Sequence, residues 1–213
     1  MNKINSLKIL GLTFSRACSH SAKLKQVWLC SRLLAAFAAL YVVTVFATAF
    51  LGYLSPYAWV FFPVIAALLG AFYYYLAATR WQNFGVGTLF AFILAAFLLA
   101  VGECDLPETL LILTAGVVSD VVRQLIGYNT LKGQTIAYPI QAIGVIAWLL
   151  PLWTRTEWYY QGAAEELGVE YAKGLMTFAS QWGLTAVVLT TAIAGLVGIL
   201  FAARIMKDSN NEE

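Results

Sequence analysis

Charged and hydrogen-bonding side chains are scarce in this chain, so the places where they cluster are informative. The densest cluster is Trp153-x-Arg155-x-x-Trp158-Tyr159-Tyr160. A guanidinium set among aromatic faces offers charge pairing, stacking and cation–π contact within one site. Gln181, Trp182 and Thr185 open the next apolar run and would complete a pocket beside it. The pattern points to a small ligand that is flat, acidic or conjugated, with Arg155 pairing an acid and the rings stacking. The competing reading is the belt of Trp and Tyr found at membrane–water interfaces, to which Tyr57 and Trp59 would also belong.

A second place is Asp120, the only acid inside a long apolar run, with Arg123 one helical turn further on. Ionisable residues within a membrane span are costly and are functional candidates by default. Two readings of the pair stand: an Asp–Arg anchor for one helix end, or an element of conformational coupling. A proton or ion relay needs further intramembrane acids, and the sequence has none.

Other chemistries lack their residues. There is no GxSxG, no HExxH and no P-loop. His20 is the only histidine, and Cys18, Cys30 and Cys104 form no CxxC pair, which argues against a metal site. The expectation is a protein that is not an enzyme and binds no cofactor of its own. With no nucleotide motif, active transport would draw its energy from a partner or from a gradient.

The elements that must position these residues follow from composition. Of 213 residues, 61% are hydrophobic and 11% charged, against about 45–50% and roughly 25% in soluble domains. The mean hydropathy is +0.76. So few charges cannot cover a water-facing surface, and a soluble globular domain, a disordered chain and a nucleic-acid binder are all excluded. A spanning helix needs about 20 apolar residues. Six such runs are expected, near 33–52, 57–78, 83–101, 108–127, 134–153 and 183–203, the first two separated by Gly52, Ser55 and Pro56. All Lys and Arg except Arg155 and Lys173 then fall on one side, which the positive-inside rule makes the cytoplasm. Both termini would be cytoplasmic, in a prokaryotic cell membrane. Glu103, Asp105, Glu108, Glu157, Glu165, Glu166 and Glu170 fall on the outer side, together with a long aromatic loop near 154–182 divided at Gly168. The expected fold is an all-α integral membrane protein with three parts: a basic cytoplasmic extension over 1–32, a six-helix domain over 33–207 and a polar tail over 208–213.

Small residues recur at four-residue spacing in three runs: Ala35, Ala39 and Ala47; Ala91 and Ala95; Ala194, Gly198 and Ala202. Such faces serve either internal helix packing or contact with another membrane subunit.

From the second run onward, the order of features resembles the MptD-type (Trep_Strep) family of S components of energy-coupling factor transporters. The stretches that carry the resemblance begin with Phe62-Pro63-Val64-Ile65-Ala66-Ala67-Leu68-Leu69 and Gly116-Val117-Val118-Ser119-Asp120. Gly127-Tyr128, Trp148-Leu149-Leu150-Pro151-Leu152-Trp153, Gly168-x-x-Tyr171, Trp182 and Gly195-x-x-Gly198 follow in order. The match covers roughly residues 33–207. It departs at the C-terminus, where an acidic Asp208–Glu213 tail replaces a Lys-rich one, and in a longer basic extension before Leu33. The resemblance implies a six-helix substrate-binding subunit that lacks an ATPase and docks on a transmembrane coupling protein carrying two ATP-binding cassette subunits. Those partners would consume the ATP. The ligand would sit near the outer surface, between loops and the outer ends of the later helices, and Ala35 and Ala39 match the AxxxA face that meets the coupling protein. The main expectation is therefore capture of a small nutrient (a vitamin, a modified base or a tetrapyrrole). The alternatives are a ligand-free membrane scaffold, which would have no polar-lined cavity under the 154–182 loop, and a gradient-driven carrier with a midplane site.

Overall fold

In a computed structural model, the described backbone covers residues 20–211 and the described side chains residues 31–206. The basic segment 1–32 lies outside the described residues as far as 19, and its remainder opens the first helix; the side chains of the 208–213 tail also lie outside them. Among the described residues the chain is helical, with no strand.

Six helices build the frame: α1 (His20–Ala49), α2 (Pro56–Arg80), α3 (Val86–Ala100), α4 (Leu106–Ile126), α5 (Leu131–Ile143) and α9 (Gln181–Asn211). Three shorter ones, α6 (Pro151–Thr154), α7 (Thr156–Leu167) and α8 (Val169–Met176), lie between α5 and α9. The frame closes on itself. α1 packs between α2 and α3, α4 between α3 and α5, and α9 between α5 and α2. α2 and α5 also meet across the middle.

Helix ends follow local chemistry. Ser55 caps α2 by accepting the Tyr57 amide at 3.2 Å, with Pro56 in the first turn. Thr130 caps α5 by accepting the Gly133 amide at 2.9 Å. Asp105 stands at the same position before α4, yet its side chain makes no cap bond, because it is engaged elsewhere.

Packing is tightest where small residues face each other. A Cβ on Gly87 would lie 2.8 Å from the Gly116 carbonyl, so α3 and α4 approach more closely than any larger pair would allow. Ala91 and Ala95 are buried at this contact, and Gly198 and Ala202 of α9 are buried with Gly198 against Ala71 of α2. These two stripes pack internally. Ala35, Ala39 and Ala47 of α1 lie instead on the exposed surface. Exposed Leu40, Val43, Phe92, Leu110, Val121, Leu189, Ile193 and Val197 give the bundle an apolar exterior, which suits a lipid surrounding and not water.

Among the described residues, four helical stretches are long and apolar enough to cross a membrane: Ser31–Leu54, Pro56–Arg80, Leu106–Ile126 and Gln181–Met206. The expected third and fifth runs differ from them. α3 has 15 residues, about 22 Å of helix against a hydrocarbon core of about 30 Å. The run expected over 134–153 is divided. α5 ends at Ile143, the backbone tightens into a 3-10 turn over Gly144–Leu149, and α6 restarts at Pro151. Continuous apolarity along a run does not fix the backbone pitch within it. The 154–182 loop is largely helical, as α7 and α8, and divides at Gly168, whose φ of +93° favours glycine.

Candidate functional site

Both groups of chemically interesting residues are built from helix ends, at opposite ends of the bundle. At one end Asp120, on α4, is fully buried. Its Oδ2 accepts the amides of Gly85 (3.1 Å) and Thr88 (2.8 Å) and the Thr88 hydroxyl (2.8 Å), while Oδ1 accepts the Gly87 amide at 3.0 Å. These are the free N–H groups of the first turn of α3, which has no cap of its own because Gly85 stands at that position. Arg123 does the converse. Its guanidinium donates to the carbonyls of Ala78 (3.0 Å), Trp81 and Asn83 (3.4 Å), where α2 ends. The direct Asp120–Arg123 contact is longer, 3.8 Å, and the guanidinium lies over the Tyr128 ring at 5.2 Å. The pair therefore ties α4 to the end of α2 and the start of α3.

At the other end a cavity of about 340 Å³ opens between the loop after α3, the first turn of α4, and α6 to α8. That is within the size range of small-molecule pockets, about 300–1,000 Å³. Rings form much of its wall. Trp148 is stacked on Phe46 at 6.1 Å and meets Trp59 and Phe62 edge-on at 5.7 and 5.2 Å. Trp59 donates its indole N–H to the Tyr159 hydroxyl at 2.5 Å, and the Tyr171 hydroxyl donates to the Gly52 carbonyl at 2.6 Å. These two bonds hold α7 and α8 down over the ends of α1 and α2. Burial raises the pKa of both tyrosines, Tyr171 to about 12, so both stay neutral.

The charges of the cavity come from three segments. Arg155 donates to Asp105 at 2.7 Å and to Glu108 Oε1 at 2.9 Å, and lies over the Trp158 ring at 5.0 Å. The hydrogen bond to Asp105, together with the nearby carboxylates, raises the guanidinium pKa and secures its charge. Asp105 is thus drawn away from capping α4. Trp148 donates to Glu103 Oε2 at 3.3 Å. The Glu108 side chain is only 5% exposed, and its Oε2 is buried with no hydrogen-bond partner. Cys104 lies beside these acids; burial, then the charges of Glu108, Glu103 and Asp105, push its thiol up to about 12, so it is neutral.

Of the residues expected from the sequence to bind a ligand, Arg155, Trp158 and Tyr159 line the cavity. Trp153, Tyr160, Gln181 and Trp182 do not. Trp153 packs inward and donates to the Phe178 carbonyl at 2.8 Å, and Tyr160 is half-buried outside the lining. Gln181 and Trp182 stand exposed at the start of α9, Trp182 by 83%. Sequence reasoning missed Glu103, Asp105, Glu108, Trp148 and Tyr171 as lining. The available signal is the run of three acids at 103, 105 and 108 set against a single nearby cation, Arg155.

Long apolar helices and an apolar exterior define an integral membrane protein. The chain belongs to the Trep_Strep family of hypothetical bacterial integral membrane proteins, whose model matches residues 33–208. No curated protein and no solved structure matches it.

Proposed function

We propose that this protein is the substrate-capturing S component of an energy-coupling factor importer. It crosses the cell membrane six times with both termini in the cytoplasm, and it takes a small nutrient from the outer face. The observation that carries this reading is the cavity at the Arg155 end, walled by rings and charged groups and roofed by α7 and α8. A ligand-free scaffold calls for no such cavity. A gradient-driven carrier calls for an ionisable site at the midplane, whereas Asp120 spends its hydrogen bonds on helix ends. The sequence order that resembles S components and the absence of a nucleotide motif support a reading in which partner subunits supply the energy.

The test uses the full chain purified from its own bacterium in mild detergent. The expected result is co-purification of a multi-spanning coupling protein and two ATP-binding cassette subunits in fixed proportion. Ala35→Trp and Ala39→Trp, on the exposed face of α1, are expected to reduce that recovery while the chain stays folded. A chain that purifies alone, or partners unaffected by both substitutions, contradicts the reading.

A further inference from the structure

The cavity has a charge imbalance that the sequence-based picture of Arg155 does not anticipate. Its lining holds Glu103, Asp105, Glu108 and Glu166 against one cation, Arg155. That cation is already engaged by Asp105 and by one oxygen of Glu108, so it is not available to pair a ligand's acid. Lys173, the nearest other cation of the α7–α8 roof, is exposed and paired with Glu170. The Cys104 thiol adds no charge.

Within this acidic lining one group points to a ligand independently of the charge count. Glu108 is buried against the cavity, and its Oε2 has no partner. A buried carboxylate oxygen without a donor is costly, and a water, an ion or a ligand is what would supply the donor. An anion would face a repelling wall, and a neutral ring would leave Oε2 bare. A metal ion is a poor fit, since among the described residues no three His, Cys, Asp or Glu side chains are grouped to hold one. Trp59, Trp148 and Trp158 line the same cavity, and the faces of such rings attract cations and stack on flat rings.

We propose that the captured molecule is a small, flat organic cation, its protonated nitrogen donating to Glu108 Oε2 and its ring lying among Trp148, Trp158 and Tyr159. This rests on the capture reading above and narrows it to one chemical class. Arg155 already occupies Oε1 of Glu108, which leaves Oε2 as the oxygen without a partner.

The test uses the full chain in lipid nanodiscs and three indoles of matched ring: tryptamine, 3-ethylindole and indole-3-propionate. Binding is measured by titration calorimetry, with empty nanodiscs subtracted. Tryptamine is expected to bind about tenfold more tightly than 3-ethylindole, with indole-3-propionate weakest. Glu108→Gln is expected to bring tryptamine and 3-ethylindole to within about twofold of each other. Because Glu108→Gln also weakens the hold on Arg155, Glu103→Gln serves as a second variant. It keeps an acceptor for Trp148 and removes one carboxylate, and it should reduce the amine preference in part. Equal binding of all three probes, or an amine preference unchanged in both variants, overturns the cation assignment while leaving capture intact. Absence of protein-dependent binding by every probe overturns the cation assignment and counts against capture at this cavity as well.

Discussion

At one end of the bundle Asp120 and Arg123 are fully buried, and at the other Arg155 holds Asp105 and Glu108 at the mouth of a cavity. The residue types are the same, and what differs is how far their hydrogen-bonding capacity is used. Asp120 takes bonds from three amides and a hydroxyl, and Arg123 reaches three carbonyls, with only its Nε left over. Every one of those partners is a helix end of the same chain. Around Arg155 the chain leaves an oxygen of Glu108 bare and three more carboxylates on the wall. A costly buried charge is thus structural when its own chain saturates it, and a candidate for recognition when it is unsaturated and its residue lines a cavity.

The comparison is broken most directly at the saturated end. Asp120→Ala strips the first turn of α3 of its acceptors and leaves Arg123 buried beside a neutral site. The expected loss is about 3–5 kcal/mol, the cost of breaking a buried pair, measured by reversible unfolding in mixed detergent micelles. Asp120→Asn, which keeps acceptor oxygen, should lose less. An Asp120→Ala protein as stable as the parent would remove the lock. At the open end, Arg155→Ala should cost less, about 1–2 kcal/mol from baring a second oxygen of Glu108, in the same measurement. It should also increase binding of a cationic probe, since the wall gains net negative charge. A fall in cation binding would show that Arg155 serves the ligand and not Glu108.

Much of this contrast was legible in the sequence, but not its assignment. The break at Ser55-Pro56, the turn at Gly127 and the division at Gly168 are marked by residues whose backbone preferences are strong, and the chain breaks there. The positions of the apolar helices follow from the same logic. The 3-10 stretch over Gly144–Leu149 carries no such mark, because Val145, Ile146, Ala147 and Trp148 are apolar in either pitch. Asp120 and Arg123 looked paired because three residues on a helix bring side chains together. Their stronger bonds run to α2 and α3, and no local spacing reports a partner more than thirty residues away. The cavity was visible only in half. Arg155, Trp158 and Tyr159 are contiguous enough to notice, whereas Glu108 and Trp148 reach the same space from α4 and the turn after α5. Trp182 drew notice as an aromatic near the same loop, but it opens α9 on the exposed side.

Two smaller effects sharpen the boundary of the open end. Tyr171→Phe removes the bond to the Gly52 carbonyl that holds α8 down. The expected cost is about 0.5–1.5 kcal/mol, with faster amide hydrogen exchange confined to α7 and α8. Unchanged exchange there would mean that the bond does not secure the roof. Trp182→Ala should do least. At 83% exposure and outside the lining, it should change stability by no more than about 0.5 kcal/mol and leave probe binding as it was. A large loss of binding would move the site toward the start of α9.

The central claim is that the Arg155 end of this protein holds a small molecule. Mass spectrometry of the small molecules released when the purified chain is denatured tests it most directly, with Trp158→Ala as the comparison, since Trp158 lines the cavity while being 63% exposed. The account predicts one positively charged species released from the parent protein and depleted about tenfold or more in Trp158→Ala. Identical small-molecule profiles from the two proteins would contradict it.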